Sequence, residues 1–394
     1  MTKFNSLGSN YTFSQAWQAL TIREQKDSDL AGFFNCENDQ LEFFYKGREA
    51  LRAALRCLNL PAGSRVAITG FTCLAVYEAV LWEGLEPVVL DIDETLNLNF
   101  ADLKNQPSVQ AVIVQNTFGF PYREIEVLEK WTKENKVYLV EDNAHAFGAT
   151  YTDGRKVGTV GQVAIFSASQ DKILDSVAGG ILVINDHNLL SNLAVEKIAT
   201  PKMQQKRDRW YPLLTWTIRK TYDFGLGKVL HAWFKRQKWL SQPMHYQTEK
   251  RFQILPTWQI QLLGARMKLT KVEQKQRQKK VRLYLQLLND DLLFWRPSDE
   301  EISRSACLRL PVKVPAEKRA QILQTLAAAG YQLRDFWYDA PVGPKKYWQA
   351  AGYQANFSQL KNASLVCASV INLPTHQDIN EHDVRKICQV INQT

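Results

Sequence analysis

From about Tyr45 onward, short apolar runs recur with helix-patterned stretches between them, and this alternation limits the chain more than any other feature. The runs are SRVAIT, EPVVLDID, VQAVIVQNT, VYLVED, QVAIFS and GGILVIND. Each is strand length, rich in Val and Ile, and bounded by Gly, Pro, Asn or Asp. Near-continuous apolar strands belong to sheets buried on both faces, and such sheets are mostly parallel. GREALRAALRCLNL, TCLAVYEAVLWEG and REIEVLEKWTKENK show helical spacing; the first stops at Pro61 and the second at Gly84. The expected fold is α/β, a mostly parallel central sheet with helices on both faces, followed by a smaller C-terminal α+β domain.

The expected organisation is an N-terminal segment over 1–44, a large domain over 45–200, a basic aromatic helical insertion over 201–250, a long connecting helix over 251–292 and the small domain over 293–394. A chain of 394 residues is long enough for this plan. Met1 to Asn10 is polar, and no apolar run approaches the roughly 20 residues of a spanning helix, so a cytoplasmic protein is expected. Six cysteines without a C-x-x-C pair read as reduced thiols, and the six histidines lack ligand spacing, so no metal is expected.

Charge is uneven. Between Lys202 and Lys238 ten Lys or Arg stand against Asp208 and Asp223, a net +8 out of +9 for the whole chain. Trp210, Leu214, Ile218, Tyr222, Leu226, Leu230 and Phe234 recur there every four residues, an apolar stripe beside a basic face. Such a segment fits a helical hairpin packed on its own subunit or on a dimer partner. It also fits a lid over an anionic membrane surface or a lipid-linked diphosphate sugar. Nucleic acid is the weakest reading.

Asp142 closes VYLVED and Lys172 follows VAIFS, so both fall at carboxyl ends of strands, where open α/β sheets place their ligands. Alone, the two are consistent with a buried ion pair. They also satisfy pyridoxal phosphate, whose aldehyde takes a lysine amine as a Schiff base while an acid keeps the pyridine nitrogen protonated. That cofactor needs a phosphate cradle. TGFTCL joins a strand to a helix, so backbone N–H groups of Thr72 and Cys73 are candidates, with the Ser167 hydroxyl beside them.

PAGSRVAITGFTCLAVYEAVLWEGLEPVVLDID, VEDNAHAFGATYTDGRKVGTVGQVAIFS and DKILDSVAGGILVIND, in this order, resemble the DegT/DnrJ/EryC1/StrS family of PLP-dependent sugar aminotransferases, which have the type I fold. The resemblance is close from Gly47 to Asp186 and returns in INLPTHQDINEHDVRKICQVI. It implies a homodimer with pyridoxal 5'-phosphate as cofactor. It implies Lys172 as Schiff-base lysine and proton shuttle, Asp142 at the pyridinium nitrogen, His145 near the phenolic oxygen, and Thr72, Cys73 and Ser167 at the phosphate. It implies an amino acid donor such as glutamate and a keto sugar acceptor, nucleotide-linked or lipid-linked, in surface glycan or natural-product sugar biosynthesis.

The sequence departs from the family pattern in three places. Arg48 replaces a threonine in GREAL, QNTFG places Asn116 where His is common, and KRFQILPTW offers Gln253 in place of a family Asn that reaches the partner subunit's cofactor phosphate, and Leu255 in place of a family Arg. Arg48 and Asn116 are candidate substrate contacts, as are Trp337, Tyr338 and Lys345 of LRDFWYDAPVGPKKYW. A related PLP sugar dehydratase has His in place of the lysine, which Lys172 disfavours. The other alternative is a PLP-fold binding or regulatory protein without turnover.

Overall fold

The computed structural model describes residues 2–5, 7, 10–23, 30–106, 108–240, 250–333 and 338–393. Seven strands form the central sheet: β1 Leu41–Phe44, β2 Arg65–Thr69, β3 Glu86–Leu90, β4 Ala111–Gln115, β5 Tyr138–Asp142, β6 Val163–Ser167 and β7 Gly180–Ile184. Their spatial order is β1-β7-β6-β5-β4-β2-β3. Only β7 runs against its neighbours. The carboxyl ends of β1, β2, β4, β5 and β6 therefore share one edge, with Asp142 in register with Gln115 and Ile165.

Helices cover both faces because each buries an apolar stripe against the strands. On one face lie α1 Gly47–Cys57, whose Ala50, Leu51, Ala54 and Leu55 are buried, and α2 Leu74–Trp82. On the other lie α3 Ile125–Glu134 and the first half of α4 Thr257–Leu287, through Leu128, Leu263 and Met267. The second half of α4 leaves the sheet. Its Val281, Tyr284 and Leu285 join the core of the C-terminal unit, where β8 Arg309–Lys313 pairs antiparallel with β9 Val370–Pro374. Lys3–Phe4 pairs with Tyr331–Gln332, so the start of the chain is stitched into this unit.

Two expectations are corrected. The sheet begins at Leu41 rather than after residue 44, because LEFF pairs with β7 along its whole length. The basic segment is the expected pair of packed helices, Lys202–Lys220 and Leu226–Arg236, but the four-residue apolar spacing does not run along it as one stripe. Gly225 takes φ +83°, a left-handed conformation that breaks the helical repeat. In the first helix the buried side is Tyr211, Thr215 and Ile218, while Trp210 is exposed. That side packs on Phe13–Thr21, with the Phe13 and Trp216 ring centroids 5.0 Å apart.

Glu141 ties the sheet to the loop that follows β5. Its fully buried carboxylate accepts the N–H groups of Gly158 (2.6 Å), Val160 (2.7 Å) and Gly161 (2.7 Å) and the Tyr151 hydroxyl (2.6 Å). An amide at this position turns acceptors into donors facing donors. Glu141→Gln should lower stability by about 3 kcal/mol, read by denaturant unfolding with an unchanged slope.

Candidate active site

Asp142 ends β5, is buried, and accepts the Ala144 N–H at 3.0 Å through one carboxylate oxygen. Burial pushes its pKa above the usual carboxylate value, opposed by that hydrogen bond and by the positive charge of Lys172. Lys172 lies on the loop after β6. Burial pushes its amine down, opposed by the charges of Cys73, Asp142 and Asp171. The two side chains thus share one electrostatic environment, yet among the described residues no ion pair joins them.

The loop that carries Lys172 is fixed from several sides. Asp175 accepts the N–H groups of Asp171 (3.0 Å) and Val177 (2.9 Å) and the Tyr11 hydroxyl. Tyr211 donates to Gln170 at 2.7 Å. Asp171 and Val177 take positive φ, 65° and 74°, a conformation costly for a β-branched valine and held here by these bonds.

His145 is buried beside Phe118, their ring planes 15° apart and centroids 6.2 Å apart. Its Nδ1 accepts the Phe118 N–H at 3.3 Å. Burial, with the positive charges of Lys172 and Arg309, holds its pKa well below the ordinary 6.5. The imidazole is therefore neutral with its proton on Nε2. Phe118 itself takes φ +55°, and Gly119 follows at +87°. A side chain on Gly119 would sit 2.9 Å from the His145 carbonyl, which is why this turn ends in glycine.

Ser167 ends β6 with its hydroxyl 2.8 Å from that of Ser169. Its Oγ lies 3.3 Å from where a side chain on Gly47 would begin, so the hydroxyl rests on the first residue of α1. A helix start beside a hydroxyl favours an anion. The turn after β2 is more enclosed than expected. Thr72 donates its hydroxyl to Gln115 at 2.8 Å. Val342 and Gly343 run alongside it, and the N–H of Leu74, first residue of α2, is taken by the Gly343 carbonyl at 2.7 Å. Cys73 precedes α2 in extended conformation, within reach of the charges of Arg48 and Lys172.

The structure brings Tyr338 to this centre. It is buried, edge-on to Phe71 at 4.9 Å, and its hydroxyl pKa is raised by burial and by the charges of Cys73 and Asp142. Of the other candidates, Arg48 pairs with buried Glu78 at 2.7 Å and lies close enough to Cys73 for its charge to act there. Asn116 is fully buried: Nδ2 donates to Asn143 (2.5 Å) and Tyr151 (3.1 Å), and Oδ1 accepts from Tyr122 N–H (2.7 Å). Both of its N–H donors are therefore spent within the fold. Lys345 is exposed, its amine 5.8 Å from the Trp348 ring. Trp337 lies outside the described residues.

Sequence reasoning missed the cationic half of the cleft. Beside Lys172 it is lined by Arg266, Arg277 and Lys280 of α4, Arg309 at the start of β8, and Thr375, His376 and Gln377 after β9. These residues lie far apart in sequence and carry no local signature. Gln253, the position offered for a partner contact, donates its backbone N–H to Glu49 and gives its carbonyl to Tyr45 N–H, both in its own chain.

A mostly parallel seven-stranded sheet with one reversed strand, bearing an acid and a lysine at its carboxyl edge and followed by a smaller α/β unit, is the architecture of fold type I PLP-dependent transferases. The chain belongs to the DegT/DnrJ/EryC1/StrS aminotransferase family, which it matches over residues 44–218 and 255–392. GDP-perosamine synthase of Caulobacter vibrioides is 30% identical over 178 residues, 44% of this chain and 47% of that protein. The match thus spans about half the length of such curated relatives. Among solved structures, the Helicobacter pylori aminotransferase PseC superposes with a TM-score of 0.71 at 17% identity, covering 98% of each chain. The GDP-4-keto-6-deoxy-D-mannose-3-dehydratase of E. coli gives 0.68 at 15% identity, covering 98% of this chain and 93% of that one.

The tautomer assigned to His145 is open to direct test. Its imidazole should remain neutral from pH 8 down through pH 6 with the proton on Nε2, as read by ¹⁵N-edited NMR of the ring, since burial disfavours the charged form.

Proposed function

We propose that the chain is a pyridoxal 5'-phosphate-dependent aminotransferase that moves an amino group from an amino acid donor, glutamate, to a keto sugar carried on a nucleotide or a lipid. The observation that carries this reading is the pair Asp142 and Lys172: a buried carboxylate and a desolvated amine, each within reach of the other's charge. A carboxylate taken out of water wants a cation, and a protonated ring nitrogen is one. Asp142 would hold that nitrogen, the His145 Nε2–H would donate to the ring's phenolic oxygen, and Ser167 with the first turn of α1 and the Thr72–Cys73 turn would hold the phosphate. When bound, the cofactor supplies an electron sink for the bond broken at the donor's α-carbon.

The protein's own groups do the rest. Lys172, depressed by burial, keeps a share of neutral amine that serves as nucleophile. As a free amine, Nζ would take the proton from the donor's α-carbon and return it later. Neutral His145 adds no positive charge to repel that amine. Tyr338 and Phe71 close the site against water. The functional unit in this reading is a homodimer, as the family's fold implies, with the Phe252–Gln253 backbone serving its own subunit. Lys172 favours transamination over the dehydratase chemistry named for one structural neighbour.

Purified protein should show a visible absorption band that bleaches on adding glutamate. Lys172→Ala should lose that response and lower turnover by roughly 10³-fold or more. A band unchanged by every amino donor would instead mark a binding protein without turnover. Capture of the cofactor by cofactor-free protein requires the unprotonated amine. Its rate should therefore rise with pH and level off below pH 10.5, the ordinary lysine value, because burial lowers the pKa.

We propose in addition a peripheral contact with an anionic membrane surface through the helix Leu226–Arg236. No helix among the described residues is long and apolar enough to cross a membrane. This one buries only Gly227 and turns its apolar residues outward: Phe224 just ahead of it is 85% exposed, Val229 66%, Leu226 and Trp233 each 53%. Lys228, Lys235, Arg236 and Lys238 are exposed around them. An apolar face ringed by cations fits an anionic bilayer interface, and the helix lies in the stretch between residues 218 and 255 that the family match skips. The protein should co-sediment with phosphatidylglycerol-containing vesicles, less so at high salt, and Val229→Glu with Trp233→Glu should abolish this. Salt-insensitive self-association without vesicle binding would mean that a second copy covers the face.

A further inference from the structure

We propose that the cleft beside Lys172 contains an oxyanion subsite built from Arg266, Arg277 and Lys280 of α4, Arg309 of β8 and His376, and that it receives either a carboxylate of the amino donor or the diphosphate of the sugar acceptor. This inference rests on the aminotransferase reading and deepens it.

Positions 266, 273, 277 and 280 recur at intervals of seven, four and three, so α4 presents them on one side. All four line the cleft, together with Arg309, Thr375, His376 and Gln377 from the C-terminal unit and Asn10, Tyr11 and Gln15 from the N-terminal segment. Counting Lys172, five cationic side chains face Asp171, Asp175 and Glu273. Two of those acids are already occupied: Asp175 with the Tyr11 hydroxyl and two backbone N–H groups, and Glu273 with Arg266 Nη2 at 3.0 Å. The positive charge is in excess.

Among the described residues, the buried side chains of His376 and Arg266 carry donors with no protein acceptor. His376 is 2% exposed; its Nδ1 accepts the Asp378 N–H at 3.3 Å, which leaves the proton on Nε2, and Nε2 has no hydrogen-bond partner. Arg266 is 7% exposed, and its Nε and Nη1 also lack partners. Buried donors left unmet are costly, and cations crowded together repel one another. An anion with two or more acceptor oxygens relieves both. The surroundings register the crowding: burial and Arg277 push Lys280 down to about 8, against the pull of Asp378, and burial with Arg309, Arg277, Arg219 and Lys280 keeps His376 neutral. A neutral imidazole N–H among fixed cations is a directional donor rather than a further charge.

The test uses the full, cofactor-loaded protein and two probes that cannot turn over. Glutarate presents two carboxylates without an amine, and inorganic pyrophosphate presents the acceptor's linkage without the sugar. Calorimetric titration should show binding of at least one. Glutarate as the tighter ligand assigns the site to the donor, pyrophosphate to the acceptor. His376→Phe and Lys280→Gln should each weaken that binding by about 10-fold or more, while Lys271→Gln, on the exposed side of α4, should not. Affinity should also fall as pH rises through about 8, when Lys280, which faces Arg277 of its own helix and Asp378 and shares the cleft with Lys172, Arg266, Arg309, Asp171, Asp175 and Glu273, loses its proton. Lys280 is only half-buried, so its variant keeps the question answerable if His376→Phe does not fold. Absence of binding by both probes, or binding that neither variant alters, overturns the proposal. Bleaching of the visible band by glutamate reports the aminotransferase reading separately, so intact bleaching without probe binding sinks the subsite alone.

Discussion

Two acids stand side by side at the end of β5 and meet opposite fates, and the site depends on that difference. Successive residues of a strand point to opposite faces. Glu141 points where a loop delivers three backbone N–H groups and a tyrosine hydroxyl, so its negative charge is fully met by fixed dipoles. Asp142 is almost as buried but receives one N–H. A carboxylate left short of partners in a dry place is unstable unless something cationic arrives. The strand thus uses one acid to hold the fold and keeps the other available.

Availability also requires that Lys172 be kept from collapsing onto Asp142. A flexible four-carbon stem on a loose loop would close the gap for the sake of an ion pair. The loop is instead locked by Asp175, which gathers Asp171, Val177 and Tyr11, and by Tyr211 through Gln170. Two non-glycine residues at positive φ are the local expense of that lock. Tyr211 comes from the basic aromatic segment and Tyr11 from the N-terminal segment, so both reach the lysine loop as supports. Anything that moved the Lys202–Lys220 helix would be felt at Lys172 through these hydroxyls.

The strands and helices of the large unit were legible because burial on both faces writes apolar runs of strand length, and the acid, the histidine and the lysine were legible because they punctuate those runs. Other features left weaker marks. LEFF is too short to show a period, so β1 was read as part of the preceding segment. The four-residue stripe through Trp210 and Phe234 was real as a spacing, but Gly225 interrupts the helix and the two halves face differently. Asn116 occupies the place of a common family histidine, and only its hydrogen bonds show that it serves the fold. The arginines and lysines of α4 looked like a solvated charged face. Some of them are, but those at 266, 277 and 280 turn inward, and nothing in a one-dimensional pattern separates the two sets.

Helix α4 is the member that makes a single cleft out of these parts. Its first half is bolted to the sheet through Leu263 and Met267, its second half to the C-terminal core through Val281, Tyr284 and Leu285. From Arg266 to Lys280 is about 21 Å of continuous helix at 1.5 Å per residue. Two units joined by a flexible linker could close on a ligand. Two units joined by a shared helix, and stitched again where Ala306 and Leu308 donate to the carbonyls of Gly119 and Phe118, cannot do so without breaking packed structure. The lysine on one side and the arginines on the other are therefore set at fixed separation before any ligand arrives. That is the condition under which a cluster of like charges remains open instead of relaxing away.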